Sequence, residues 1–258
     1  MPKVLINGTG IYYEEYGTGE PLILIQGFAG GANAWFRQVT VFSKKFKVIT
    51  FDARGLDNSD VSNIPYTVPV MVNDVLGIMD YLKIEKANIL GTSLGGLVAQ
   101  AFAVTCPERL DKLVLVSTFP GTDILKTSPG LKSVQDIRAD MDVGKTMGYF
   151  ISIAFNKRFY RGTINFLSLL RRKWAYNNYF KQMESIGDYN MVERLHLVRA
   201  PTLVITGSDD KIVPPANSEL LVKNIPGARL IIVKGGSHAF FLEMSGRFNT
   251  EVLHFLGE

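Results

Sequence analysis

A serine hydroxyl is a useful nucleophile only beside a base, and a histidine is a useful base only when a third group fixes its orientation. Three stretches of this chain hold those residue types in settings that suit them. Gly91-Thr92-Ser93-Leu94-Gly95-Gly96 matches G-x-S-x-G. It directly follows the β-rich run Ala87-Asn88-Ile89-Leu90 and directly precedes a helical run from Leu94 to Thr105. A sharp strand-to-helix turn there would hold Ser93 in strained backbone geometry, its hydroxyl above the sheet, and would crowd the positions two residues away, where glycine fits. Gly235-Gly236-Ser237-His238 forms a glycine-rich turn between the last strand run and the last helical run. Thr206-Gly207-Ser208-Asp209-Asp210 places two carboxylates at the carboxyl end of a parallel strand, the edge where catalytic groups of open α/β sheets gather. Of the three histidines, His196 precedes Arg199-Ala200-Pro201 and His254 sits in a terminal helix, so both read as structural. His238 is left as the base.

The elements that must position these groups follow from periodicity. Lys3 to Ile6 and Ile11 to Glu15, separated by Asn7-Gly8-Thr9-Gly10, predict an opening antiparallel hairpin. Continuous apolar runs at 22–25, 48–51, 87–90, 113–116, 202–205 and 230–233 predict strands buried on both faces. Helical patterns at 33–43, 70–82, 94–105, 216–223 and 240–256 fill the gaps, and this alternation argues for a mostly parallel sheet covered by helices. Between Ser117 and Thr202 the rhythm breaks. That interval has no convincing buried strand but is rich in aromatics and methionine, including Met141, Tyr149, Phe150, Phe155 and Trp174. A structureless loop of that length is improbable in a compact domain, so residues 121–195 are read as a helical insertion between core segments 1–120 and 196–258.

Composition narrows the function classes. Apolar residues make up 47% and charged ones 20%, as in ordinary globular proteins. The net charge is +4, and basic clusters such as Lys44-Lys45 and Arg171-Arg172-Lys173 are scattered, which speaks against a nucleic-acid or anionic-membrane surface. The lone Cys106 cannot form an internal disulfide and reads as a small buried hydrophobe. No basic segment followed by an apolar stretch opens the chain, and apolar runs are too short to span a bilayer, so a cytoplasmic protein is expected. There is no H-E-x-x-H, paired C-x-x-C or Walker sequence to imply a metal or organic cofactor.

Taken together these stretches resemble the α/β-hydrolase superfamily, in its capped esterase, lactonase and non-haem haloperoxidase-like branch. Further matches are Phe51-Asp52-Ala53-Arg54-Gly55-Leu56-Asp57-Asn58-Ser59, similar to the family's D-x-R-G-x-G-x-S loop, and Gly236-Ser237-His238 ahead of a helix containing Glu243. The resemblance implies a mostly parallel eight-stranded sheet with helices on both faces and an inserted helical cap. It implies a triad in the order Ser93, Asp210, His238, with Asp210 preferred over Asp209 because the family's acid falls three residues after the glycine. It also implies an oxyanion hole from the backbone N–H groups of Phe28 and Leu94. Asp52 and Arg54 are expected to stabilise their turn as a pair. Two departures stand out: Gln26-Gly27 replaces the family's His-Gly, and Asp57 replaces a loop glycine, where aspartate tolerates left-handed backbone. The expected reaction is hydrolysis of small-molecule esters or lactones with neutral apolar acyl groups. Perhydrolase, haloperoxidase, carbon–carbon hydrolase and lyase chemistry use the same triad, and a ligand-binding receptor could keep the same fold. An aspartate at position 93 would instead have pointed to dehalogenase or epoxide hydrolase chemistry.

Overall fold

The computed structural model describes residues 3–28, 30–123, 128, 143–156 and 187–258. Strands β1 (Lys3–Ile6) and β2 (Thr9–Tyr16) form the opening hairpin, turned by Asn7 and Gly8, both at positive φ. Thr9 and Gly10, expected in the turn, belong to β2. There follow β3 (Glu20–Ile25), α1 (Phe36–Phe42), β4 (Phe46–Phe51), α2 (Val68–Tyr81), β5 (Ala87–Thr92), α3 (Leu94–Thr105), β6 (Leu110–Val116) and α4 (Val143–Ala154). The chain closes with β7 (Thr202–Gly207), α5 (Ala216–Asn224), β8 (Arg229–Val233), α6 (Phe240–Glu243) and α7 (Ser245–Leu256).

The eight strands lie in the order β1-β2-β4-β3-β5-β6-β7-β8, parallel from β4 through β8, with β2 antiparallel to β4. Crossovers between parallel strands are right-handed, so the direction of travel along the sheet sets the face each helix covers. The step from β3 to β4 runs one way and places α1 on one face, where α7 packs against it. The steps from β4 to β5 to β6 run the other way and place α2 and α3 together on the opposite face. The travel reverses between β3 and β5, and a crevice opens at the carboxyl ends of those two strands. Both carry the residues of interest, since Gly27 and Phe28 follow β3 and Ser93 follows β5.

The central strands are buried along their length, and Leu22 to Leu24, Ile89, Leu90, Leu113 to Val116, Val204 and Ile205 are all at or near zero exposure. Strand β8 departs from the expectation of burial on both faces. It is the sheet's edge, and Ile232 is 40% exposed because nothing pairs beyond it in the described sheet. The long terminal helix is also two helices, broken at Met244 (φ −121°). The first expected helix opens instead as a 3₁₀ turn over Ala32–Trp35.

Most of the stretch read as an insertion lies outside the described residues, along with most of its aromatic and methionine side chains. At its two ends, Gly121 bridges Asn190, Met191 N–H donates to Pro120 O at 2.7 Å, and Thr122 N–H donates to Tyr189 O at 3.0 Å. Ser128 Oγ donates to Ile212 O at 2.8 Å. Cys106 is buried at the end of α3, and that burial pushes its thiol up. Among the described residues no helix is long and apolar enough to cross a membrane.

The D-x-R-G loop is stabilised differently from expectation. Asp52 and Arg54 do not pair with each other. Asp52 Oδ1 accepts from Ala32 N–H at 2.7 Å and Oδ2 from Asn58 N–H and Nδ2 at 3.0 and 2.9 Å, which ties the turn after β4 to the turn after β3. Arg54 reaches instead into α2 and grips both oxygens of Asp74 through Nε and Nη2, while its Nη1 donates to the Thr9 and Ser62 hydroxyls. Burial pushes the Asp74 carboxyl up, and the guanidinium opposes that shift. Both side chains are almost fully enclosed, so removing one charge strands the other. Asp74→Asn is expected to destabilise the chain by about 3–5 kcal/mol; the urea midpoint should fall accordingly, and an unchanged midpoint would show that the pair carries no net stability.

Candidate active site

Strand β5 turns into α3 at Ser93, whose φ of 51° and ψ of −120° lie in a region that costs a non-glycine residue about 1–3 kcal/mol. The surroundings over-determine that conformation. Ser93 N–H donates to Val116 O at 2.9 Å, its carbonyl accepts from Gly96 and Leu97 N–H at 2.9 and 3.2 Å, and Thr118 Oγ1 adds a fourth bond at 2.6 Å. A Cβ on Gly95 would strike the carbonyl oxygens of Ile25 and Gln26, and one on Gly91 would strike the Gly95 carbonyl. The elbow thus needs both flanking glycines because backbone meets backbone there. Leu94 opens α3, so its N–H, the first of the helix, has no carbonyl one turn back within the helix to bond.

Across the crevice, Gly27 lies against Ser93: a Cβ there would sit 3.1 Å from that of the serine. Gly30 N–H closes the turn onto Gly27 O at 3.2 Å, and the Phe28 ring meets Phe150 of α4 edge to face at 6.3 Å. Gln26 stands where the resemblance implies histidine, and among the described residues its side chain contributes no hydrogen bond to this turn. Its Nε2 is buried without a hydrogen-bond partner among the described residues, and the turn is held by main chain and by Asp52.

At the end of β7 the two adjacent carboxylates separate. Asp209 is exposed and accepts from Ser208 Oγ at 2.6 Å. Asp210 is buried, with Oδ1 accepting from Ile212 and Val213 N–H at 2.9 and 2.8 Å and Oδ2 lying 2.8 Å from His238 Nδ1. His238 is buried on the turn after β8. That turn packs on β7, because a Cβ on Gly207 would strike the Gly236 carbonyl, and Ser208 Oγ accepts from Gly235 N–H at 2.8 Å. His196 is exposed on the 3₁₀ turn Val192–Leu197, and His254 is exposed on α7 with Nε2 3.5 Å from Glu258. Neither joins the group. Asp57 adopts the left-handed conformation expected of it, with φ of 42°. Sequence reasoning gave no role to Thr118, Ser208 or Ser237: Thr118 and Ser208 bond to backbone 25 and 27 positions away, and Ser237 to the Glu243 side chain, pairings that leave no mark in spacing. Among the described residues no cluster of three potential metal ligands occurs.

The elbow's dependence on glycine is testable. Gly95→Ala should destabilise the chain by several kcal/mol or prevent its folding, as expected for overpacking against backbone. Gly246→Ala, on α7 where an added Cβ meets nothing within 4 Å, should shift stability by at most about 1 kcal/mol. Thermal melts of the pair would settle the contrast; equal melting temperatures would overturn it.

Known proteins resemble this chain in sequence and in fold. The family model described as alpha/beta hydrolase fold matches residues 20–145 and 154–244. A protein of Burkholderia vietnamiensis named 2-hydroxy-6-oxononadienedioate/2-hydroxy-6-oxononatrienedioate hydrolase is 32% identical over 95% of this chain and 90% of its own. A RutD protein of Azorhizobium caulinodans, named for carbamate hydrolysis, is 27% identical over 100% of this chain and 99% of its own. The crystal structure of the enol-lactonase from Burkholderia xenovorans superposes with a TM-score of 0.86 at 26% identity, covering 100% of both chains. With the family match spanning most of its length and the strained serine at the switch point of an eight-stranded sheet, this chain belongs to the α/β-hydrolase fold family.

Proposed function

We propose that this hydrolase cleaves carboxylic esters or lactones through an acyl-enzyme, with Ser93 as nucleophile, His238 as general base and Asp210 as the acid that orients the histidine. The observation that carries this reading is the buried Asp210–His238 contact at 2.8 Å, formed at the same sheet edge as the serine elbow. Two backbone N–H groups hold one Asp210 oxygen, so the other is aimed at Nδ1 by main chain. A carboxylate on Nδ1 selects the tautomer whose Nε2 accepts a proton.

In this mechanism His238 removes the Ser93 proton as the hydroxyl oxygen attacks the carbonyl carbon. The oxyanion rests on the N–H groups of Phe28 and Leu94, which flank the crevice from β3 and α3, and main-chain donors there are indifferent to the Gln26 substitution. His238 then protonates the leaving alcohol, and water repeats the sequence on the acyl-enzyme. Each step is a proton or acyl transfer that these groups supply without a cofactor. The edge-to-face pair of Phe28 and Phe150 beside the oxyanion turn supports an apolar acyl pocket, roofed by the proposed cap at 121–195. The substrate in this reading is a small neutral molecule met in the cytoplasm.

A second reading, carbon–carbon bond hydrolysis on the same triad, draws on the 32% identical relative and its dicarboxylate substrate name. The two diverge in substrate preference. For an apolar pocket, kcat/KM on p-nitrophenyl esters should climb about fourfold per methylene across short acyl chains, since each buried methylene contributes ~0.8 kcal/mol. It should fall once the pocket is full. Strong preference for a dicarboxylate monoester, or no dependence on chain length, would favour the second reading.

The triad assignment makes a sharper prediction. Asp210→Asn should lower turnover about 10⁴-fold, as loss of the orienting carboxylate does in serine hydrolases. Asp209→Asn, at an exposed carboxylate bonded only locally, should stay within about threefold of the parent. Steady-state rates of the two variants decide the matter, and the reverse ranking would move the acid by one residue.

A further inference from the structure

The turn that carries His238 is fastened to a part of the chain far away in sequence. Glu243, on the short helix α6 five residues after the histidine, is buried at 8% exposure. Its Oε2 accepts from Ser237 Oγ at 2.5 Å and from Asn156 N–H at 3.2 Å. Ser237, immediately before His238, is fully buried. Two more bonds join the same pair of segments: Ala239 N–H donates to Ala154 O at 2.9 Å, and Asn156 Nδ2 donates to Gly235 O at 3.3 Å. Residues 154–156 thus bond to positions 235, 239 and 243, on both sides of the histidine. The same segment ends α4, whose Phe150 packs on Phe28 of the oxyanion turn. One helix between β6 and β7 therefore touches the turn bearing a proposed oxyanion donor and the turn bearing the proposed base.

We infer that Glu243 is a positioning residue for His238, acting through the Ser237 hydroxyl and the Asn156 N–H to lock the histidine turn against the end of α4. This rests on the triad reading above. Burying a carboxylate is costly unless its oxygens are bonded, and a carboxylate sunk between two chain segments that offer it donors holds those segments in one register. Among the described residues the imidazole is anchored at Nδ1 alone, by Asp210, so its reach toward Ser93 depends on where the backbone of residues 237–239 is held. Removing the Oε2 acceptor leaves a buried hydroxyl and a backbone N–H without these bonds, and the turn, held to residues 154–156 by the other two bonds alone, can shift while Asp210 and Ser93 stay where they are. A displacement of ~1 Å at a reacting group costs on the order of 100-fold in rate.

The experiment uses the full chain and a fluorophosphonate as probe of Ser93, beside steady-state p-nitrophenyl ester hydrolysis. Glu243→Leu should slow fluorophosphonate labelling and kcat by about 10- to 100-fold while leaving KM within about twofold, because the acyl pocket is untouched. Ser237→Ala, a smaller change that cuts the 2.5 Å bond from the other side, should show the same kcat-selective loss and serves if Glu243→Leu does not fold. Unchanged kcat and labelling in folded Glu243→Leu and in Ser237→Ala would overturn the inference. Absence of label on Ser93 in the unaltered chain, with ester turnover intact, would instead remove the triad reading beneath it.

Discussion

The first turn of α3 lies against the carbonyl oxygens that end β3, and the geometry of the site depends on that approach. Any side chain at position 95 would push the two apart. Because they meet, the residues after β3 and those after β5 share one crevice, and Gly27 comes to rest on Ser93. The strained serine conformation is the consequence: a strand that must turn at once into a helix packed under its neighbour's end has no relaxed path. The cost of the strain is offset by four hydrogen bonds on the Ser93 main chain, from elements as distant as the loop after β6.

A second constraint is the handling of buried charge. Asp52, Asp74, Asp210 and Glu243 are all enclosed, and each is bonded to a segment other than its own or to successive backbone N–H groups. Asp52 joins the turns after β3 and β4, Asp74 holds the D-x-R-G loop through Arg54, and Asp210 and Glu243 grip the histidine turn from either end. Loops at the carboxyl edge of a sheet carry no ladder of their own. A buried carboxylate supplies several strong, directional bonds at once and substitutes for that missing ladder. Among the described residues, the bonds that close the turn after β3 come from Asp52 and from main chain.

Much of this was legible in the residues. Continuous apolar runs announce parallel strands because both faces of such a sheet are covered, and glycines at 91 and 95 around Ser93 announce the elbow because only they fit. The same logic singled out His238 and the carboxylates Asp209 and Asp210, and the family resemblance preferred Asp210. Where reading by pattern failed, a local signal competed with a tertiary one. Strand β8 has the composition of a buried strand yet lies at the edge, since composition records how well a segment packs and not whether another strand follows it. Asp52 and Arg54, two residues apart, suggested a pair; the structure sends Arg54 into α2, where Asp74 offers a fully enclosed bidentate partner.

The sequence by itself thus determined the layers of the fold, the position of the sharp turn and the identity of the groups able to do chemistry, because each is set by short-range periodicity, steric exclusion or intrinsic reactivity. Only the tertiary structure decided which charge satisfies Arg54, that Asp210 lies buried against His238 while Asp209 stays exposed, and that Glu243 and residues 154–156 clasp the histidine turn. Those outcomes depend on contacts between residues 20 to nearly 90 positions apart. Hydrogen bonds of that kind need only a donor and an acceptor brought together by the packing of other elements, so nothing in their own spacing along the chain foretells them.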